Sequence, residues 1–360
     1  RNDPLTLEWD RLCRRTSASP FLRPQWLCEW WQAFAEPGDG LVLWHLRRND
    51  RLTALLPLVQ RGHTLLPAVN YHTPQSGLLA EDAAAAEALL CAVLATADAT
   101  QTTLVALDTL GADPDTCRRA ARAAGHSILT LPHERACYLA LDASWDVYET
   151  RLGRDTRGDV RRRRRRLQER GNVSFTVHTG SDGLERLLTS AFVLESSGWK
   201  LRDGTAIRCD ARVERFYTGI ARWAANEDML RLCFLRAGGT PVAMQLNLEH
   251  RGTWYLLKCG YDEHYAQASP GKVMQYDCIR HCFAAGMKRI EFCGDTDPHK
   301  LRWCPQSRDL LRMHFFPDSL PGHLARWRMG ARPWLTSWYR RVVAPAPRRL
   351  QQKDPIHASH

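Results

Sequence analysis

The 360-residue chain lacks several features that usually announce a function. It has twelve cysteines but no Cys-x-x-Cys pair. Scattered thiols without tight pairs do not build a zinc knuckle, so no metal is expected. The nearest approach is Cys278 and Cys282, one helical turn apart beside His281. These read as small buried hydrophobes in a reducing compartment. No run of 18 apolar residues occurs, so no membrane-crossing helix is expected. No opening segment combines a basic start, an apolar stretch and a small-residue cleavage site. The expectation is a soluble, cytoplasmic protein. No Gly-x-Ser-x-Gly turn or Ser/His/Asp arrangement points to a hydrolytic nucleophile.

What is present is ordinary in bulk and uneven in charge. Hydrophobic residues make up 44% and charged residues 25%. Those values fit a globular protein and exclude a disordered chain, a collagen or a disulfide scaffold. The length suits two domains with real cores. Fifty Lys and Arg face 39 Asp and Glu, a net charge of +11. That excess permits a polyanionic partner without naming one.

Along residues 1–40, Trp9, Leu12 and Cys13, then Trp26, Trp30, Trp31 and Phe34, recur at helical spacing. Strands are expected at 41–45 and 52–59, around a turn at 48–50. Residues 63–77 read as irregular and polar. A helix over 82–98, a strand at 103–107, a helix over 115–124 and a strand at 137–141 follow. This alternation makes 1–145 an α/β or α+β unit. Residues 146–171 read as a basic connecting helix that contains the run Arg161–Arg166. A strand at 173–178 and helices over 182–196 and 212–226 come next. Then three strands (230–236, 241–249 and 253–259) form an antiparallel meander through glycine turns. A polar loop, a helix over 271–285 and a strand at 289–292 complete the pattern. Residues 319–360, with Trp327, Trp334, Trp338 and Tyr339 among arginines, are expected as a helix and tail.

The loop before the 271–285 helix reads Gln267-Ala-Ser-Pro-Gly271-Lys272. A strand, a glycine turn and a helix start leave N–H groups unpaired. With the helix dipole they favour a phosphate. The same residues also read as a common proline-initiated helix start.

Around this loop stand Gly239-Thr-Pro-Val-Ala-Met244, Tyr261-Asp262, Tyr265, Ser269-Pro270-Gly271, Gly286, Glu291-Phe292, Gly294-Asp295, Lys300 and Trp303. Glu195 and Gly198-Trp199-Lys200 lie upstream. Over about residues 150–305 the set resembles the GNAT acyltransferase superfamily. It is most similar to the CelD-like, cellulose-biosynthesis-type branch, kin to the FemABX aminoacyl transferases. The resemblance implies an α/β (α+β) fold of tandem GNAT-like domains, with mixed, mostly antiparallel sheets flanked by helices. It implies a degenerate first domain at 1–145 and a catalytic domain at 172–318. It implies N-acyl transfer from acyl-CoA to a small-molecule amine, or from aminoacyl-tRNA as in FemABX relatives.

On that resemblance, Ser269, Gly271 and Lys272 would seat the donor's pyrophosphate. A meander strand with Gln245 and Leu246 would hydrogen-bond its arm. Asp262, Glu195, His264 and Tyr265 are the candidate bases or proton relays. Trp199, Lys200, Tyr261, Asp295 and Lys300 are the candidate substrate contacts. Each keeps a second reading as loop charge, ion pair or packing. One departure is that Gln267 and Gly271 stand one residue too far apart for the usual turn, and Pro270 removes an N–H. The Arg161–Arg166 run could grip tRNA or be a solvated helix face. Oligomeric state is left open.

Overall fold

Local signals start and stop most elements of the chain. Its structure is a computed structural model that describes residues 3–96, 104–108, 113–197, 199–304 and 306–330. Asp3 caps helix α1 (Pro4–Arg15) through the Thr6 N–H, with Pro4 in the first turn. Helix α2 (Pro24–Phe34) follows, then strands β1 (Gly40–Arg48) and β2 (Arg51–Arg61). Between these strands Asn49 and Asp50 both take positive φ, 50° and 58°. That is the backbone of a tight hairpin turn matched to strand twist. Next come β3 (Thr64–Pro67), β4 (Leu79–Ala80), α3 (Ala83–Thr96), β5 (Leu104–Asp108), α4 (Pro114–Ala123) and β6 (His126–Ala140).

The second half begins with α5 (Trp145–Arg151) and α6 (Gly153–Gln168). It continues with β7 (Val173–His178), α7 (Leu184–Glu195), α8 (Trp199–Arg202) and α9 (Ala211–Asn226). The meander is β8 (Leu230–Ala237), β9 (Thr240–His250) and β10 (Thr253–Tyr261). Then come α10 (Pro270–Ala284), β11 (Arg289–Asp295), α11 (Pro298–Leu301) and β12 (Gln306–Pro317). The helix expected after 318 starts at residue 320 and reaches the last described residue, 330. Trp334, Trp338 and Tyr339 lie outside the described residues.

The sheet is mixed and mostly antiparallel, as expected, but it is one sheet. Its order is β1-β2-β3-β5-β12-β6-β11-β10-β9-β8-β7, with β4 on β2. The parallel pairs are β3 with β5 and β10 with β11. β12 has no counterpart among the expected elements. It follows the second half in sequence yet inserts between β5 and β6 of the first. Pairing with β12 from His126 to Tyr138 also explains why β6 runs to fifteen residues where only 137–141 was expected. Arg308, Asp309 and Arg312 interrupt the apolar alternation of β12 and its partners lie far off in sequence, so no local pattern marks it.

Helices cover both faces. On one, α2 joins α7 and α9 over β8–β10, where Trp26 meets Phe216 edge-on at 5.3 Å. Such aromatic pairs contribute about 0.5–1.5 kcal/mol beyond area burial. On the other face α5, α6 and α10 bury Val160, Leu167, Val273 and Ile279. The first half packs α3 and α4 on its strands through Leu89, Leu90, Val93 and Phe315.

Candidate active site

β10 and β11 pair only at their beginnings, Thr253–Tyr255 against Arg289–Glu291. Beyond that the strands part. Two irregularities drive the parting. On β10 the register with β9 slips between Leu256 and Lys258, a bulge that re-aims the following side chains. On β11 Cys293 and Gly294 are both left-handed, with φ of 47° and 66°. The β11–β6 register jumps across them, from Glu291 to Asp295. The gap opens into a cavity of 830 Å³. Its walls come from both halves: the 66–76 segment, the cavity-facing parts of β6 and β12, and the diverging strands.

Three lysines line this cavity, Lys200, Lys258 and Lys300. Lys200 Nζ donates to the Cys259 carbonyl of β10 at 2.5 Å and to Glu195 Oε1 at 2.9 Å. Lys300 Nζ donates to the Cys293 carbonyl of β11 at 2.7 Å. The two therefore stand on opposite banks of the gap. Glu195 is only 1% exposed. Its Oε2 accepts the Ile207 N–H at 2.8 Å. α7 reaches β10 this closely because residue 260 is glycine. A Cβ there would lie 2.4 Å from Glu195 Cα and 2.8 Å from the Leu194 carbonyl oxygen.

Lys258 differs from the other two. Among the described residues it has no hydrogen-bond partner; its ammonium lies over the Tyr71 and Tyr217 rings, 5.5 and 5.2 Å from their centroids. Burial, with a smaller push from the neighbouring Lys200, outweighs the opposing Glu195 carboxylate and holds its pKa below the usual lysine range. Lys200 moves the other way: burial opposes its charge, but Cys259 and Glu195 outweigh it and raise the pKa. His72 completes the group, with Nδ1 3.2 Å from the Tyr217 hydroxyl. Burial, then Lys258, pushes its pKa down to about 4, so the ring is neutral near pH 7.

The expected site residues divide sharply. Glu195, Lys200 and Lys300 are brought together. Glu195, however, has both oxygens engaged, so it is an anchor for Lys200 and the 207 backbone, which corrects its expected role as a base. Asp262, His264 and Tyr265 do not line the cavity. Asp262 caps the short 263–268 turn, and its Oδ1 accepts from the His264 N–H at 3.0 Å and stands 2.8 Å from His264 Nδ1. His264 is turned out to solvent, and Tyr265 packs on the α6–α10 core. Tyr261 packs on that same core. The side chains of Trp199 and Asp295 lie outside the described residues.

Gln245 and Leu246 are a further correction. They sit inside β9, which is paired on both edges, to β8 and to β10. Its backbone is committed to the sheet. Gln245 instead donates to Gln275 on α10, and Leu246 is core. The diverging edge belongs to β10. The start of α10 is also poorly supplied for an anion. Ser269 is left-handed, Pro270 has no N–H, and the Lys272 N–H is used by the Ser269 carbonyl. Lys272 Nζ is paired to Asp159 at 2.6 Å. A Cβ at Gly271 would meet only the Tyr261 ring, at an ordinary 3.6 Å.

Lys258, His72, Tyr71 and Tyr217 went unmarked in the sequence. The available signal for Lys258 was a lone charge inside the apolar strand Trp254–Cys259. For His72 it was the long polar segment 63–77, since long ordered loops often carry function.

Among the described residues, no three His, Cys, Asp or Glu side chains cluster as a metal site, and no helix is long and apolar enough to cross a membrane. Residues 154–301 match the family model described as the acetyltransferase (GNAT) domain. Over those residues the chain is similar to that family, and the fold is a GNAT fold. Among solved structures, FemX is similar at 13% identity with a TM-score of 0.58, covering 89% of this chain and 98% of that one. L-PGS from Bacillus licheniformis is similar at 11% identity and a TM-score of 0.53, covering 93% and 97%. A conserved protein of unknown function from Bacteroides thetaiotaomicron is similar at 14% identity and 0.53, covering 86% and 97%. At these identities the likeness is one of fold. None of the curated protein sequences matches the chain.

Proposed function

We propose that this protein is an N-acyltransferase that joins an activated acyl group to an amine held in the central cavity. The observation that carries this reading is the parting of β10 and β11 onto a cavity lined by three lysines. The amine nitrogen attacks the acyl carbonyl, a C–N bond forms, and the donor's C–S or C–O bond breaks. Lys258, with its lowered pKa, takes the proton from the attacking nitrogen and passes it to the leaving group. Lys200 and Lys300, fixed on the two banks, stabilise the oxyanion or an acidic group of the acceptor. Residues 1–145 supply the wall with Tyr71 and His72, and the 172–318 block supplies the lysines.

The matched family implies an acyl-CoA donor. The Ser269-Pro270-Gly271 turn supports the CelD-like branch within it, and the twelve free cysteines suit a cytoplasmic setting. A second reading, an aminoacyl-tRNA donor as in FemABX relatives, is favoured by the start of α10, where few groups remain for a pyrophosphate. Incubating the protein with a mixture of small amines and either acetyl-CoA or bulk aminoacylated tRNA decides between them. Mass spectrometry of amide products reads the donor directly. Consumption of neither donor would overturn the acyl-transfer reading.

A further inference from the structure

Just past β12 the chain builds a helix whose apolar side faces away from the body. Ser319 starts the 320–330 helix. Its Oγ accepts from the Gly322 N–H at 3.3 Å, and its carbonyl accepts from the His323 N–H at 2.8 Å. Pro321 stands in the first turn. Residue 322 must be glycine, because a Cβ there would lie 2.1 Å from the Pro317 carbonyl oxygen. That close approach fixes how the helix is rolled. At about 100° per residue, Gly322, Ala325 and Met329 share one side. These three are buried or half-buried, and every other residue from 320 to 330 is exposed. Leu320, Leu324 and Trp327 fall within about 60° of one another on the opposite side. They are 86%, 47% and 68% exposed.

Three large apolar side chains in one uncovered row mark an interaction surface. The row is flanked by His323 and Arg326 on one side and by Arg328 on the other. Neither arginine has a carboxylate partner among the described residues. Asp318, just before the helix, is paired to His323 at 2.8 Å. From 319 to 353 the sequence carries eight Lys and Arg and no Asp or Glu. In the same stretch Trp334 and Trp338 continue the spacing of Leu320, Leu324 and Trp327 in sequence. Apolar stripe, flanking cations and absent acids together select the occupant. A second copy of this face would set arginine against arginine with no acid to pair. A soluble polyanion would take the arginines and leave the leucines in water. A bilayer with anionic headgroups takes both, and tryptophan is suited to that boundary because its ring is apolar and its N–H is polar.

We propose that the outward face of the 320–330 helix docks the protein on an anionic lipid bilayer. Leu320, Leu324 and Trp327 enter the boundary between headgroups and acyl chains, and Arg326 and Arg328 lie among the headgroups. A helix lying in the plane of the surface needs no apolar run of membrane-crossing length. This docking is separate from acyl transfer and holds whichever donor is used.

The test is co-sedimentation of the full chain with vesicles of equimolar phosphatidylserine and phosphatidylcholine across a salt series, against vesicles of phosphatidylcholine alone. The variant Leu320→Gln/Leu324→Gln/Trp327→Gln is set against Leu7→Gln/Val147→Gln/Val193→Gln, which changes exposed apolar residues elsewhere. The wild type should partition onto the anionic vesicles at least about tenfold more strongly than onto the neutral ones, and high salt should erase most of the difference. The stripe variant should lose at least about tenfold in partitioning, while the control variant stays within about twofold. Arg326→Gln/Arg328→Gln should lose about fivefold per arginine at low salt. All the replaced side chains are exposed, so thermal melts of the variants should match the wild type. Wild-type binding no stronger to anionic than to neutral vesicles would overturn the proposal, as would equal losses in the stripe and control variants. A dimer that the stripe variant dissolves, with no vesicle binding by the wild type, would overturn it in favour of a second copy.

Discussion

The lysines of the cavity and the arginines of α6 are both dense clusters of positive charge, yet the protein treats them differently. Lys200 and Lys300 are held by the carbonyls of β10 and β11, and Lys200 also by the buried Glu195. They are fixed where the strands part. On α6 Arg162, Arg163, Arg164 and Arg166 are tied to Asp159, Asp277 and the Gln267 carbonyl, while Arg154, Arg161 and Arg165 are exposed and have no carboxylate partner among the described residues. A cation held by the fold shapes it; one without a partner is free for a ligand. Lys258 is the case that crosses the line, since it is enclosed like Lys200 yet lacks a hydrogen-bond partner among the described residues.

The sharpest way to break this contrast is Glu195→Ala. It leaves Lys200 enclosed without its carboxylate and should cost about 3–5 kcal/mol. Chemical denaturation reads it directly. Gly260→Ala should follow, costing about 1–3 kcal/mol or more, because the new methyl meets the α7 backbone and no flexible side chain can yield. Arg164→Ala should cost about 1–3 kcal/mol by stranding Asp277, whereas Arg161→Ala should stay within about 0.5 kcal/mol. A large effect at Arg161 would erase the distinction between the two faces of α6. A separate contrast concerns pH. His72 is held neutral in the folded state, with a pKa of about 4 against an ordinary 6.5. The unfolded chain therefore binds this proton first as pH falls. Stability from this site is complete above about pH 6.5 and is lost as pH drops toward 4. A melting series should show His72→Asn flattening that loss relative to the wild type.

Much of the fold was legible in the sequence, because its elements rest on local signals. The aromatic spacing of Trp26, Trp30 and Phe34 marks a buried helix face. The glycine pairs and turns around Gly238 and Gly252 mark the meander. β12 was not legible, since its apolar residues are interrupted by charge and its partners lie some 170–210 positions away. The site was half legible. Lys200, Glu195 and Lys300 stood out through the family resemblance. Asp262 and His264 stood out for the same reason but serve the local turn. Lys258 was hidden because its role depends on where β10 and β11 stop pairing, which no local pattern records. The split of the arginine run was readable in principle: Val160 and Leu167, seven residues apart, mark the inner face of α6.

The central claim is that Lys258 acts as a base at the gap between β10 and β11. It is tested most directly by the rate of amide formation in the wild type and in Lys258→Arg, measured with the same donor and amine across pH. Arginine keeps the positive charge and cannot give up its proton. The account predicts a wild-type rate that rises with an apparent pKa below the usual lysine range, and a loss of about a hundredfold or more in Lys258→Arg. A Lys258→Arg variant with the wild-type rate and pH profile would contradict it.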